Sequence, residues 1–93
     1  MKTATASHIL VATEARCLEL KAQIEAGADF ATVARENSKC PSGRDGGSLG
    51  SFSKGDMVPE FDKVVFSQEL KKVHGPIKTQ FGYHLIWIES RQD

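Results

Sequence analysis

Apolar and polar positions alternate from residue 4 and close into a β-branched apolar run, so ATASHILV (4–11) predicts a central strand carrying His8. The period then changes. Between Thr13 and Ala26, Cys17, Leu20 and Ile24 recur at i, i+3 and i+7, with Thr13 at the N-cap, Glu14 in the first turn and Gly27 at the end, which predicts an amphipathic helix. Asp29 caps a second, shorter helix in which Phe30, Val33 and Ala34 share a face, ending near Asn37. The stretch SKCPSGRDGGSLG (38–50) holds four of the eight glycines and predicts a loop, with Gly46 and Gly47 allowing a reversal into a short strand at Leu49 to Ser53. Lys54, Gly55 and Asp56 form a turn, and Pro59 opens a third helix on which Phe61, Val64 and Val65 repeat at i, i+3 and i+4. Residues 67–74 are polar and predict no helix. Gly75 to Thr79 predicts a short strand, Phe81 and Gly82 a turn, and Tyr83 to Ser90 the last strand. The order β-α-α-β-α-β-β gives an α+β fold with a small sheet, and the closing hairpin favours antiparallel pairing.

Composition narrows the function classes. A chain of 93 residues is long enough for one core and too short for two, which makes residues 1–93 a single domain. Twelve basic and twelve acidic residues cancel, so the charge expected of a partner for nucleic acid or anionic membranes is missing. The segment MKTATASHILV has neither the length of a membrane span nor the layout of a secretory leader, and the expected location is the cytoplasm. Cys17 and Cys40 form no CxxC pair, and both are expected as free thiols in a reducing compartment.

The chemistry-bearing residues are few. His84 opens the most apolar stretch of the chain, HLIWI, and a titratable ring half-committed to a core needs a hydrogen-bonding partner or belongs to a site. His8, His84 and Cys40 each stand beside a strand or loop that can face a common cleft, and a thiol with a histidine is the minimum for nucleophilic catalysis. The plainer alternative is an inert loop thiol at Cys40 and a core residue at Cys17. His8, Cys40, His74 and His84 lack the short spacings of a structural zinc site, so no metal is expected. GRDGGSLG lacks the GK[ST] ending of a phosphate loop, and Lys71, Lys72, His74 and Lys78 are better taken as a solvated basic face. Leu49, Met57, Phe61 and Phe81 lie near element ends, where they can pack in the core or line a pocket for a compact apolar ligand.

Five segments together resemble the parvulin-type peptidyl-prolyl cis/trans isomerases, in particular the small single-domain bacterial members: SHILV (7–11), GADF (27–30), CPSGRDGGSLGSF (40–52), MVPEFDKVVF (57–66) and GPIKTQFGYHLI (75–86). The resemblance covers nearly the whole chain. It implies a four-stranded antiparallel sheet wrapped by helices, with His8 and His84 paired on adjacent central strands, Cys40 at the active-site cysteine and Thr79 supporting the pair. It also implies that Leu49, Met57, Phe61 and Phe81 hold the substrate proline ring, with no cofactor. The expected partners are proline-containing peptides and unfolded or nascent chains with an apolar residue before proline, met by a monomer without nucleic acid or membrane. Phosphate-directed members carry a basic cluster after the first strand and a serine at the position of Phe81. Here residues 12–16 hold one arginine, Arg16, so a phosphate-independent, non-covalent isomerase is expected. The rival readings are a non-catalytic, chaperone-like peptide-binding module and a cysteine hydrolase; the latter lacks an evident oxyanion-hole motif and a third orienting residue.

Overall fold

The computed structural model describes residues 3–39 and 41–92, with the backbone alone at Pro41 and Ser42. Four strands, β1 (Thr3–Val11), β2 (Ser48–Ser53), β3 (Val73–Thr79) and β4 (Gly82–Gln92), form one sheet in the order β2-β1-β4-β3, antiparallel throughout. Helices α1 (Glu14–Glu25) and α2 (Phe30–Asn37) connect β1 to a short 3-10 turn at Pro41–Asp45, and α3 (Pro59–Val65) connects β2 to β3.

Caps fix the helix starts where the sequence places them. Thr13 Oγ1 accepts the Arg16 N–H and Asp29 Oδ2 accepts the Thr32 N–H, each satisfying an amide without an intrahelical partner. Pro59 stands in the first turn of α3, where a missing N–H costs nothing.

Both faces of the sheet are covered, and this explains the HLIWI run. Successive side chains of a strand point to opposite faces. Ile9, Val11 and Leu85 pack with Cys17, Leu20 and Ile24 of α1 and Phe30, Val33 and Ala34 of α2. Ala4, Ala6, Ile86 and Ile88 pack on the other face with Phe52 and with Phe61 and Val65 of α3. β4 therefore buries consecutive residues from His84 to Ile86 instead of alternating with solvent.

Boundaries on three strands differ from the sequence expectation. β3 begins at Val73, because Val73 and His74 pair with Trp87 and Ile86 on β4; on an edge strand the polar surroundings of these residues hide the pairing. β1 and β4 likewise reach further, to Thr3 opposite Gln92. The glycine loop turns as expected, and Gly47 (φ 83°) does more. Its carbonyl accepts the His8 N–H at 2.9 Å, and a Cβ at this position would run into the His8 carbonyl oxygen, so β1 is held against the loop at the histidine itself.

Candidate active site

Strand register brings the two histidines together. His84 stands opposite Leu10 and His8 opposite Ile86, which makes the rings diagonal neighbours on the face covered by α3. Their Nδ1 atoms are 3.1 Å apart, and the rings lie 17° from parallel with centroids 5.3 Å apart. Phe61 meets both edge-on, at 5.8 Å from His8 and 6.3 Å from His84.

The hydrogen-bond chain beyond the pair assigns its protons. β3 and β4 join through a two-residue turn, Gln80–Phe81, that sets Thr79 opposite Gly82 and leaves Thr79 Oγ1 2.8 Å from His84 Nε2. The Phe81 N–H donates to the same oxygen at 3.2 Å. A buried hydroxyl needs an acceptor for its own hydrogen, and the acceptor in reach is His84 Nε2. His84 then carries its hydrogen on Nδ1 and donates it to His8 Nδ1, leaving the His8 hydrogen on Nε2.

Both rings are neutral at pH 7. Burial, and the repulsion that two protonated rings side by side would suffer, pull the His8 pKa down to about 4, and burial also lowers that of His84. The pair is a hydrogen-bonded, uncharged floor.

Above it opens a cavity of about 410 Å³. Leu49, Met57, Phe61 and Phe81 all line it, together with His8 and His84. Phe61 is buried, whereas Phe81 is 64% exposed and forms a lip. Size does not single this cavity out, since clefts of about 540 and 560 Å³ lie elsewhere on the described surface. Its lining does. The larger clefts are edged by Asp29 and Glu89, or by Lys54, Asp62 and Lys63, whereas this one, Lys39 apart, is walled by aliphatic and aromatic carbon and the two imidazoles.

Leu10, Val58 and Lys39 also line the cavity and were not among the residues selected from sequence. Leu10 was accessible to that reasoning, because it lies two residues after His8 on the same strand face. Lys39 carried no signal beyond its place in the loop. Cys40 lies outside the described residues.

The remaining candidates lie apart from this chemistry. Cys17 is buried on the opposite face of the sheet, where burial raises its pKa to about 11 despite the nearby Lys21 ammonium, so it is an inert core thiol. His74 Nε2 contacts the Glu69 carbonyl oxygen at 2.7 Å. Lys71 pairs with Glu89 and Lys72 with Glu69, all on the solvated surface. Among the described residues no three His, Cys, Asp or Glu side chains are grouped to hold a metal ion.

The family model for the rotamase, PPIC-type peptidyl-prolyl isomerase domain matches residues 2–90. The chain belongs to this family. A PrsA foldase of Halalkalibacterium halodurans is 46% identical to the PPIC-type domain over 89 residues, covering 95% of this chain and 27% of that protein. A peptidyl-prolyl cis-trans isomerase, pin4, of Neurospora crassa is 45% identical, covering 91% of this chain and 68% of that protein. The crystal structure of PrsA from Bacillus anthracis superposes with a TM-score of 0.95 at 33% identity, covering 99% of this chain and 43% of that one. The solution structure of NmPin, the parvulin of Nitrosopumilus maritimus, superposes at 0.86 with 34% identity, covering 97% of this chain and 98% of that one. This chain thus spans about a third of the curated PrsA foldases it matches, 43% of the PrsA crystal chain and nearly all of the small parvulin. The four-stranded antiparallel sheet with three α-helices is the parvulin architecture.

Proposed function

We propose that this domain accelerates cis/trans rotation about Xaa-Pro bonds in peptides and unfolded chains. The observation that carries the reading is the apolar cavity set on an uncharged, hydrogen-bonded histidine floor. Rotation about an Xaa-Pro bond breaks amide resonance against a barrier of roughly 18–20 kcal/mol and makes no new bond, so no cofactor is called for. In the twisted transition state the amide has lost its charge separation and is less polar than the planar ground state. A dry pocket that grips the proline ring while the preceding carbonyl turns therefore favours the twisted form, and each tenfold acceleration needs about 1.4 kcal/mol of such preference.

In this reading Leu49, Met57, Phe61 and Phe81 grip the ring. His8 and His84, held in one tautomeric arrangement by Thr79, set the polarity where the carbonyl swings. Cys40 takes a non-covalent part, since rotation requires no tetrahedral adduct, and a folded Cys40→Ser protein retains measurable activity. The reaction needs no phosphate on the substrate. Arg16, in the first turn of α1 rather than a loop, donates to Asn37 at 2.6 Å and to Glu19 at 3.3 Å, which leaves it engaged within the fold, and the Phe81 side chain offers a phosphate no hydrogen bond. We further propose that the domain works as a cytoplasmic monomer on unfolded or nascent chains.

A coupled cis/trans assay on short Xaa-Pro peptides tests the reading. Acceleration is expected, and binding without acceleration would replace it with the chaperone-like module. A large preference for phosphoSer-Pro over Glu-Pro would refute phosphate independence, with Leu-Pro as the uncharged reference.

A further inference from the structure

Lys39 is the one side chain with a formal charge on the cavity lining among the described residues. Its position is fixed by the backbone. The Lys39 N–H donates to the Leu10 carbonyl at 2.8 Å, and Ser38 Oγ accepts the Leu10 N–H at 3.1 Å, so residues 38 and 39 are hooked to the end of β1 beside the histidine floor. The residue is exposed, and among the described residues it makes no ion pair with a carboxylate, unlike Arg16, Lys71 and Lys72. Its charge is therefore available to a ligand at the cavity mouth, next to an apolar wall that competes poorly for it.

We infer that Lys39 is a specificity-determining residue that favours an acidic side chain, and disfavours a basic one, immediately before the proline. This rests on the isomerase reading. With the proline ring against Leu49, Met57, Phe61 and Phe81, the turning carbonyl faces His8 and His84 and belongs to the preceding residue. That residue lies at the histidine end of the cavity, and Lys39, tied to Leu10 two residues after His8, is the charged group lining that cavity. An acidic residue there takes the place of the apolar one expected from the sequence. An exposed ion pair is worth up to about a factor of five, and repulsion of a like charge adds a similar factor, which sets the scale of the discrimination.

The experiment measures kcat/KM on three peptides that differ only in Glu, Gln or Lys before proline, for the wild type, Lys39→Gln and Lys39→Glu. Reading the Glu-to-Lys ratio within each protein removes any general effect of the substitution on turnover. The wild-type ratio is expected at about five- to tenfold in low salt and to shrink toward one at about 0.5 M salt, where screening acts over only a few ångströms. Lys39→Gln brings the ratio close to one, and Lys39→Glu inverts it. A wild-type ratio near one, or one that Lys39→Gln leaves unchanged, overturns the assignment while acceleration of the Gln-Pro peptide upholds the isomerase. No acceleration of any of the three peptides by the wild type overturns the isomerase reading and this one with it.

Discussion

Acidification perturbs the histidine floor directly, and the structure sets both the window and the size of the effect. His8 has an ordinary pKa of 6.5 in the unfolded chain and about 4 in the fold. Between these values the unfolded state binds a proton that the native state refuses, so stability falls as the pH drops through the window and levels off below about 4. At ~1.36 kcal/mol per pH unit the ceiling for one histidine is about 3 kcal/mol, and about 2 kcal/mol of it is lost between pH 6.5 and 5. His84 shifts in the same direction for the same reason, burial, and acts in the same sense. Ordinary carboxylates titrate below about 4.5, so a measurement confined to pH 7 to 5 isolates the histidines. Urea unfolding followed by circular dichroism at half-unit steps is the assay, with His8→Leu as comparison. The wild type should lose about 2 kcal/mol across this range, a large share of a total of roughly 5–15 kcal/mol, and the variant distinctly less. A wild-type change below about 0.5 kcal/mol would show that the rings admit protons as freely as in the unfolded chain, and the neutral floor would have to be abandoned.

Three further outcomes follow from single contacts. Phe81→Ala removes a ring that is 64% exposed, so unfolding free energy should change by less than about 0.5 kcal/mol while kcat/KM falls about fivefold or more; equal activity would remove Phe81 from the proline grip. Arg91 Nη1 donates to the carbonyls of Val65 and Gln68, at 2.9 and 2.8 Å, and thereby ties the end of α3 to β4. Arg91→Ala should cost about 1–2 kcal/mol in urea unfolding, and a loss under about 0.3 kcal/mol would mean that water replaces the guanidinium without penalty. Nitrogen-15 NMR of the imidazoles should find the hydrogen on Nδ1 of His84 and Nε2 of His8; in Thr79→Val the His84 assignment should weaken, and the reverse tautomers in the wild type would contradict the hydrogen-bond chain.

Much of the fold was legible because its signals are local. Thr13, Asp29 and Pro59 each start a helix through the backbone chemistry of one turn, and the apolar stripes of α1 and α2 become the core contacts on one face of the sheet. The start of β3 was not legible, since Val73 and His74 join the sheet through backbone bonds to β4 and need no apolar pattern on an edge. Arg91 was missed for a related reason: its acceptors are carbonyls, which no side-chain pattern announces.

The site divides along the same line. Periodicity places His8 on a strand and His84 at the head of another, but their contact joins residues 76 positions apart and exists only in one register of β1 against β4. A slip of one residue would turn one ring to the opposite face, toward Cys17 and Leu20 of α1. The register is pinned from both ends of the pair. Gly47 lies flat on the His8 backbone, and Gly82 (φ 141°) brings the β3–β4 hairpin so close to the Val11 carbonyl that a Cβ would fall 2.6 Å from it. These glycines look like loop punctuation in the sequence, yet in the fold they fix which face the two histidines share. The chemistry of the cavity floor thus depends on positions with no side chain as much as on the imidazoles.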